Sequence, residues 1–403
     1  MAEFRAGKPG TPELPSSVSS PLPERYEPID ALRGLIMMLM AMDHACAYFA
    51  REHSVEFWSG AMSAYNTAFP FVVRWITHLC APGFFFLMGA AIYWSYASRS
   101  DTIAQQKFAV HRTAWRGIIL ILLGQFVEQP LLSLQSVLTP SSSPLSQISA
   151  PIPNDGGIPY WTLLVLPGLG MVMFACAFIL RWKPWTWLVV AALSVIATNS
   201  LMPSDGQAAP AWLSLLLVPG LSSHLLVLYP LIPWLAATAA GMYFGYWWRA
   251  HTRPVRRRIW ILGLLMLLVG IAIREAGGWG NIRLPRDESW IEFFNNVKYP
   301  PSLVFLLITL GTNLVVLGIL KYLPPFVKSP GSPWIVFGQT PLFFYIVHFA
   351  VLTVLAFLFF KEAASLQIAL LTWPVVLLIL YPLCVSYRRF KLSKPNDSLW
   401  RIL

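Results

Sequence analysis

About ten stretches of some twenty mainly apolar residues follow one another along the chain, at 30–50, 71–97, 116–136, 160–180, 185–202, 224–247, 258–274, 301–320, 334–360 and 366–386. No other feature constrains the fold as much. A segment of that length and hydropathy is satisfied as a helix crossing a bilayer, with its backbone groups paired inside the segment. The composition agrees: 56% of the 403 residues are hydrophobic and 12% are charged, against about a quarter charged in a soluble domain. The 18 tryptophans suit two interfacial belts. The expectation is an all-α, polytopic integral membrane protein with about ten transmembrane helices in one bundle. Residues 211–219, AWLSLLLVP, are too short to cross and read as a re-entrant or interfacial piece.

Lysine and arginine set the orientation. With the N-terminus inside, the basic groups of 99–116, 249–258 and 388–394 all fall on the inner side. Both termini are then cytoplasmic, as expected for a bacterial inner membrane. The net charge of +11 is explained by topology and anionic lipid, and no nucleic-acid partner is needed. Cys46, Cys80, Cys176 and Cys384 lie in apolar segments without zinc-site or CxxC spacing, so they read as free buried thiols and no metal is expected. The chain divides into a disordered cytoplasmic tail (1–28), a transmembrane domain (29–387) and a basic cytoplasmic tail (388–403). Among the outer loops, 137–159 is Ser/Pro/Gly-rich, while 275–300 mixes charges with Trp279, Trp290 and Tyr299. The second loop reads equally well as a lid over a ligand and as a packed cap.

Ionisable residues inside such segments are costly and mark pathways or sites. The first span, PIDALRGLIMMLMAMDHACAYFA, holds Arg33, Asp43 and His44. Arg33 and His44 are three helical turns apart, on one face and roughly 16 Å apart along the axis. The other intramembrane polar residues are Arg74, His78, Glu128, Tyr229 and His348. On the assumed topology these residues, with Asp43 and His44, lie in the middle to outer half of the bilayer, which suggests one cavity opening outward. Each also has a structural reading: interhelical hydrogen bonds for His78 and His348, and a Glu128–Arg74 bridge. Asp43 and His44, as neighbours on a helix, point about 100° apart. Asp43 is therefore not expected to orient His44 directly, and a carboxylate from another helix, such as Glu128, would serve better. The chain has no Walker loop, dinucleotide fingerprint or DDxxD-like carboxylate pair. A histidine base that deprotonates an amine or hydroxyl is what direct acyl transfer from a thioester needs.

The runs RYEPIDALRG (25–34) with MDH (42–44), RWITHLCAP (74–82), YPLIPW (229–234), KYPPS (298–302) and FGQTPLFFYIVH (337–348) resemble bacterial membrane proteins related to heparan-α-glucosaminide N-acetyltransferase. Separately, the Arg33–X10–His44 spacing is similar to a signature in the first helix of membrane acyltransferases that decorate surface polysaccharides. The resemblance implies an acetyl or short acyl group taken from cytoplasmic acetyl-CoA and delivered to a sugar amine or hydroxyl facing outward. It implies Arg33 on the acyl-CoA side and His44 as the transfer base; from the residues themselves, Asp43 and His78 are the further catalytic candidates, His78 ranking after His44 and before His348 as the base. Arg74, Glu128, Tyr229, Lys298 and His348 would line the acceptor site. In the lysosomal enzyme the proposed active-site histidine lies in the loop before the second helix; the loop histidine here is His53, in REHSVEFW.

Two other classes stay open. A proton-coupled transporter of a sugar-like solute would use the same His/Asp/Glu set as a relay, but would need alternating access and usually internal symmetry, of which no repeat is visible. In a non-catalytic membrane scaffold the cluster would be interhelical glue. The expected partners are the lipid bilayer, acyl-CoA and a glycan or amino-sugar acceptor, with self-association left open.

Overall fold

The computed structural model describes residues 27–400 except 52–54, 61, 99–101, 139–160, 204–208, 223, 253–255, 257, 321, 361, 396, 397 and 399. The N-terminal tail expected over 1–28, apart from its last two residues, lies outside this set, as do His53, nearly all of the 137–159 loop and the last three residues of the C-terminal tail.

The chain is an all-α, multi-pass membrane protein. In order, its helices are α1 (Glu27–Ala45), α2 (Ala68–Thr77), α3 (Cys80–Ala97), α4 (Ile103–Leu123), α5 (Gln129–Leu138), α6 (Val165–Ile179), α7 (Pro184–Ser200), α8 (Ala211–Leu216) and α9 (Leu231–Ala250). They continue with α10 (Ile259–Ala276), α11 (Trp290–Phe294), α12 (Leu303–Leu320), α13 (Pro325–Lys328), α14 (Pro333–Gln339), α15 (Pro341–Phe359) and α16 (Leu366–Ser393). Among the described residues, six helical stretches are long and apolar enough to cross a membrane unaided: Ala68–Ala97, Ile103–Leu134, Ile259–Ala276, Leu303–Leu320, Pro341–Phe359 and Leu366–Ser393. The other expected spans, at α1, α6, α7 and α9, are shorter or more polar. Those at α1 and α9 are largely buried among the rest, so they need less lipid-facing hydropathy.

Proline explains where the spans break. Pro82, Pro167 and Pro233 stand in the first turns of α3, α6 and α9, and Pro341 is the first residue of α15. There the missing N–H would have had no intrahelical partner. The expected span 71–97 is thus two helices that meet at His78–Leu79, and 334–360 is two that meet at Thr340. Two expected spans begin as strand. Trp161–Leu163 (β1), Gly220–Ser222 (β2) and Leu225–Val227 (β3) form a sheet in the order β1-β3-β2, the first pair parallel and the second antiparallel. Most strand residues are buried, the condition under which non-helical backbone is tolerated at such a place. The 211–219 segment is a single short helix, α8, leading into β2.

Helix α1 runs through the centre and packs against α2, α3, α12, α14, α15 and α16. Small residues allow the closest crossing. A Cβ on Gly34 would lie 1.8 Å from the Trp334 carbonyl oxygen, and one on Gly338 would lie 1.9 Å from that of Asp30. Backbone-to-backbone contact of this kind is how membrane helices pack tightly, and it sets Arg33 against the end of α14. The expected free thiols are found: all four cysteines are free and buried.

The loop after α10 is a cap, with hydrogen bonds along its length. Arg283 donates to the carbonyls of Phe57 and Gly60, Arg286 to those of Met62 and Ser63, and Asn295 to that of Ser63. Arg286 also pairs with Glu292. Arg274, only 2% exposed, donates to the carbonyls of Phe293, Arg283, Glu292 and Asn295 and to Asn281 Oδ1.

Candidate functional site

Helix α1 ends in a π-helical turn, Cys46–Ala50, closed by Arg51 in the left-handed region at φ 57°. A second π turn, Gly124–Glu128, joins α4 to α5. Such turns concentrate at functional sites, and here each adjoins an ionisable side chain that lines the same cavity. His44 sits just before the first turn, and Glu128 ends the second.

Asp43 and His44 diverge as the helix period requires. Asp43 Oδ1 accepts from Arg74 Nη1 at 2.7 Å and from Thr77 Oγ1 at 2.8 Å. Arg74 in turn grips Glu56 through Nε and Nη2, both at 2.9 Å. Glu56 has no solvent exposure. His78 Nε2 stands 3.2 Å from Glu56 Oε2, a close polar contact rather than an aligned hydrogen bond. Burial alone would push the Glu56 carboxyl up; Arg74, and after it His78, hold it well below the usual carboxylate range. The suggested Glu128–Arg74 bridge does not form, because the guanidinium is saturated by Glu56 and Asp43.

His44 meets His348 on α15. His44 Nδ1 lies 2.7 Å from His348 Nε2, and the rings stack at 5.0 Å. The other nitrogen of His348, Nδ1, faces the carbonyl oxygens of Tyr345 and Phe344. Carbonyls only accept, so with both rings neutral the proton of His348 is on Nδ1 and its Nε2 accepts from His44 Nδ1–H. The basic nitrogen of His44 is then Nε2. Glu128 does not orient His44 as suggested from sequence: it accepts from the Tyr345 hydroxyl. Tyr345 therefore holds His348 with its carbonyl and Glu128 with its side chain.

Two cavities meet here. The larger, about 290 Å³, is lined by Arg33, Arg116, Lys391 and Gln339 and otherwise mainly by apolar side chains, Met37 and Met88 among them. Arg33 is held on its rim by Asp30 Oδ1 at 3.1 Å and the Gly338 carbonyl at 2.9 Å. The smaller, about 90 Å³, is lined by Asp43, His44, Thr77, Cys80, Glu128, Tyr229, Lys298 and Tyr299, with Tyr48 and Phe349. Phe84, Val165 and Tyr345 line both. Of the residues singled out from sequence, Asp43, His44, Glu128, Tyr229 and Lys298 share the smaller cavity and Arg33 the larger. Arg74, His78 and His348 line neither: they stand behind Asp43, Glu56 and His44. Sequence reasoning missed Glu56, Thr77, Tyr299 and Tyr345. Tyr299 pairs with Tyr229, hydroxyl to hydroxyl, at 3.2 Å, and its backbone pairs with that of 56–58. Among the described residues no group of three or more His, Cys, Asp or Glu could hold a metal ion.

The chain matches no curated protein. One family does match: "Heparan-alpha-glucosaminide N-acetyltransferase, catalytic", over residues 25–271. That range contains the first three of the five motifs and both sides of the Arg74–Asp43–Glu56 cluster; KYPPS and FGQTPLFFYIVH lie beyond it. With more than half of its length matched, the chain belongs to the heparan-alpha-glucosaminide N-acetyltransferase catalytic family of membrane acetyltransferases.

Proposed function

We propose that this protein moves an acetyl or short acyl group from cytoplasmic acyl-CoA to a sugar amine or hydroxyl presented from the opposite side of the membrane. The observation that carries this reading is the pair of cavities that share Phe84, Val165 and Tyr345 as a common wall. One has a cationic rim and an apolar body, suited to the phosphates and pantetheine arm of CoA. The other holds the histidine base. An acyl group passed across the common wall reaches His44 without leaving the protein.

The chemistry balances without a protein nucleophile. His44 Nε2 takes the proton of the acceptor N–H or O–H as that atom bonds to the thioester carbonyl carbon, and the carbonyl π pair moves to oxygen. Collapse re-forms the carbonyl and breaks the C–S bond. The thiolate then takes the proton from His44, giving the acetylated acceptor and free CoA. In this reading Asp43, held by Arg74 and Thr77, and the Tyr229–Tyr299 pair orient the acceptor.

In this reading both termini are cytoplasmic, in a bacterial inner membrane. A reporter fused after Leu403 should report cytoplasm and one inserted near Pro140 the exterior; the same side for both would reject the orientation. The activity is tested by incubating purified protein with labelled acetyl-CoA and an amino-sugar acceptor. Acceptor-dependent release of CoA thiol is expected, and its absence across amine and hydroxyl sugars would reject the reading.

A further inference from the structure

Lys298 is 4% exposed and lines the smaller cavity beside Asp43, His44 and Tyr299. Its backbone N–H is fixed by the Glu56 carbonyl at 3.0 Å, and its Nζ lies 5.0 Å from the centroid of the Tyr299 ring. Among the described residues Nζ makes no hydrogen bond or ion pair. A buried ammonium whose donors face a cavity is expensive unless something there accepts them.

Charge balance explains how it is tolerated and limits what it binds. Asp43 and Glu56 bring two negative charges against the single positive charge of Arg74, and Lys298 brings this group to neutrality. A permanently anionic substrate would upset that balance, whereas a negative charge that appears only during reaction would not persist. Space points the same way. A cavity of about 90 Å³ has room on the order of a few waters, enough for an acetyl group and the atom attacking it.

We infer that the Lys298 ammonium donates to the oxyanion formed when the acetyl carbonyl is attacked in the smaller cavity. The assignment rests on the acyl-transfer reading above. As the acceptor atom bonds to the carbonyl carbon, the electron pair displaced onto oxygen is met by Nζ–H. When the C–S bond breaks, the pair returns to the carbonyl and the ammonium is left unchanged. Donors placed in advance where charge develops act on the transition state more than on the bound substrate.

The test compares wild type with Lys298→Met and Lys298→Gln, each checked for monodispersity. Acetyl-CoA affinity, acceptor KM and kcat are measured with glucosamine as acceptor. Loss of one oxyanion donor should lower kcat by about 10²–10³-fold, with donor affinity and acceptor KM within about threefold. A variant that keeps more than about a tenth of wild-type kcat overturns the assignment. So does a rise in acceptor KM at unchanged kcat, which would make Lys298 an acceptor-binding group. If neither variant folds, the lysine is a structural counter-charge and the assignment is withdrawn. If wild type turns over and only the Lys298 prediction fails, the acyltransferase reading stands; if wild type releases no CoA, both fall.

Discussion

Arg274 and Arg33 are both arginines near the end of an apolar helix, and their surroundings differ in a way that separates structure from site. Arg274 spends every nitrogen of its guanidinium on carbonyl or amide oxygens of the cap. Arg33 uses one nitrogen, Nη1, on Asp30 and Gly338 and leaves Nε and Nη2 without a protein partner among the described residues. Its side chain is 19% exposed at the rim of the larger cavity. A saturated guanidinium has nothing left to offer a ligand, whereas one with spare donors beside an open volume does. Arg74 belongs with Arg274, since Glu56 and Asp43 occupy all three of its nitrogens. Its effect on chemistry is therefore indirect, through the position of Asp43.

The largest loss of stability is expected at Arg274. Arg274→Met leaves several buried carbonyls unsatisfied at about 1–3 kcal/mol each, so partial relaxation should leave a loss on the order of 3–5 kcal/mol. Thermal unfolding in detergent should show a large drop in melting temperature or no monodisperse protein; a wild-type melting curve would show that the cap does not depend on this residue. Arg33→Ala should do the reverse. Melting should be nearly unchanged while acyl-CoA affinity, measured by calorimetric titration, weakens by at least about 1 kcal/mol, the scale of a lost charge-assisted hydrogen bond. Unchanged affinity would remove Arg33 from the donor site.

The smallest effect is expected at Glu292. Burial would raise its carboxyl, but hydrogen bonds from Arg286 and Asn295 outweigh it and hold the group below the usual carboxylate range. A lowered folded value means the stabilisation is present above the ordinary carboxylate pKa of about 4.3 and is lost as pH falls through the folded value. Glu292→Gln should lower melting modestly at neutral pH and flatten its decline on the acid side. An unaltered acid limb would mean the Arg286–Glu292 pair contributes nothing to the cap.

Much of this was legible in the sequence. The length and hydropathy of the apolar stretches placed most of the helices, and the three-turn spacing of Arg33 and His44 put them on one face of the first, where they now line the two adjoining cavities. The divergence of Asp43 and His44 also followed from the helix period, but not their partners. Glu56 lies between spans, where a carboxylate is ordinary, and nothing local says that tertiary folding will bury it against Arg74. A charge count did not reveal it either, because Glu128 stood in the sequence as a second carboxylate for Arg74, and only the fold shows it engaged by the Tyr345 hydroxyl instead. Strands β1 and β3 were hidden because short apolar runs at the start of an apolar stretch have no periodicity of their own. Tyr345 was overlooked as one aromatic among many; its hydroxyl finds Glu128 only once α15 and the π turn after α4 are packed together.

In the proposed reaction His44, with its basic nitrogen set by His348, performs the transfer in the smaller cavity while Arg33 holds the donor in the larger. The most direct measurement is turnover of labelled acetyl-CoA by His44→Ala beside wild type, with acyl-CoA affinity measured on the same preparations. Turnover should fall by about 10²–10⁴-fold, the usual cost of a lost general base, with donor affinity nearly unchanged because Arg33 is roughly 16 Å away along the helix. Retention of more than about a tenth of wild-type turnover, well short of that cost, would contradict the account.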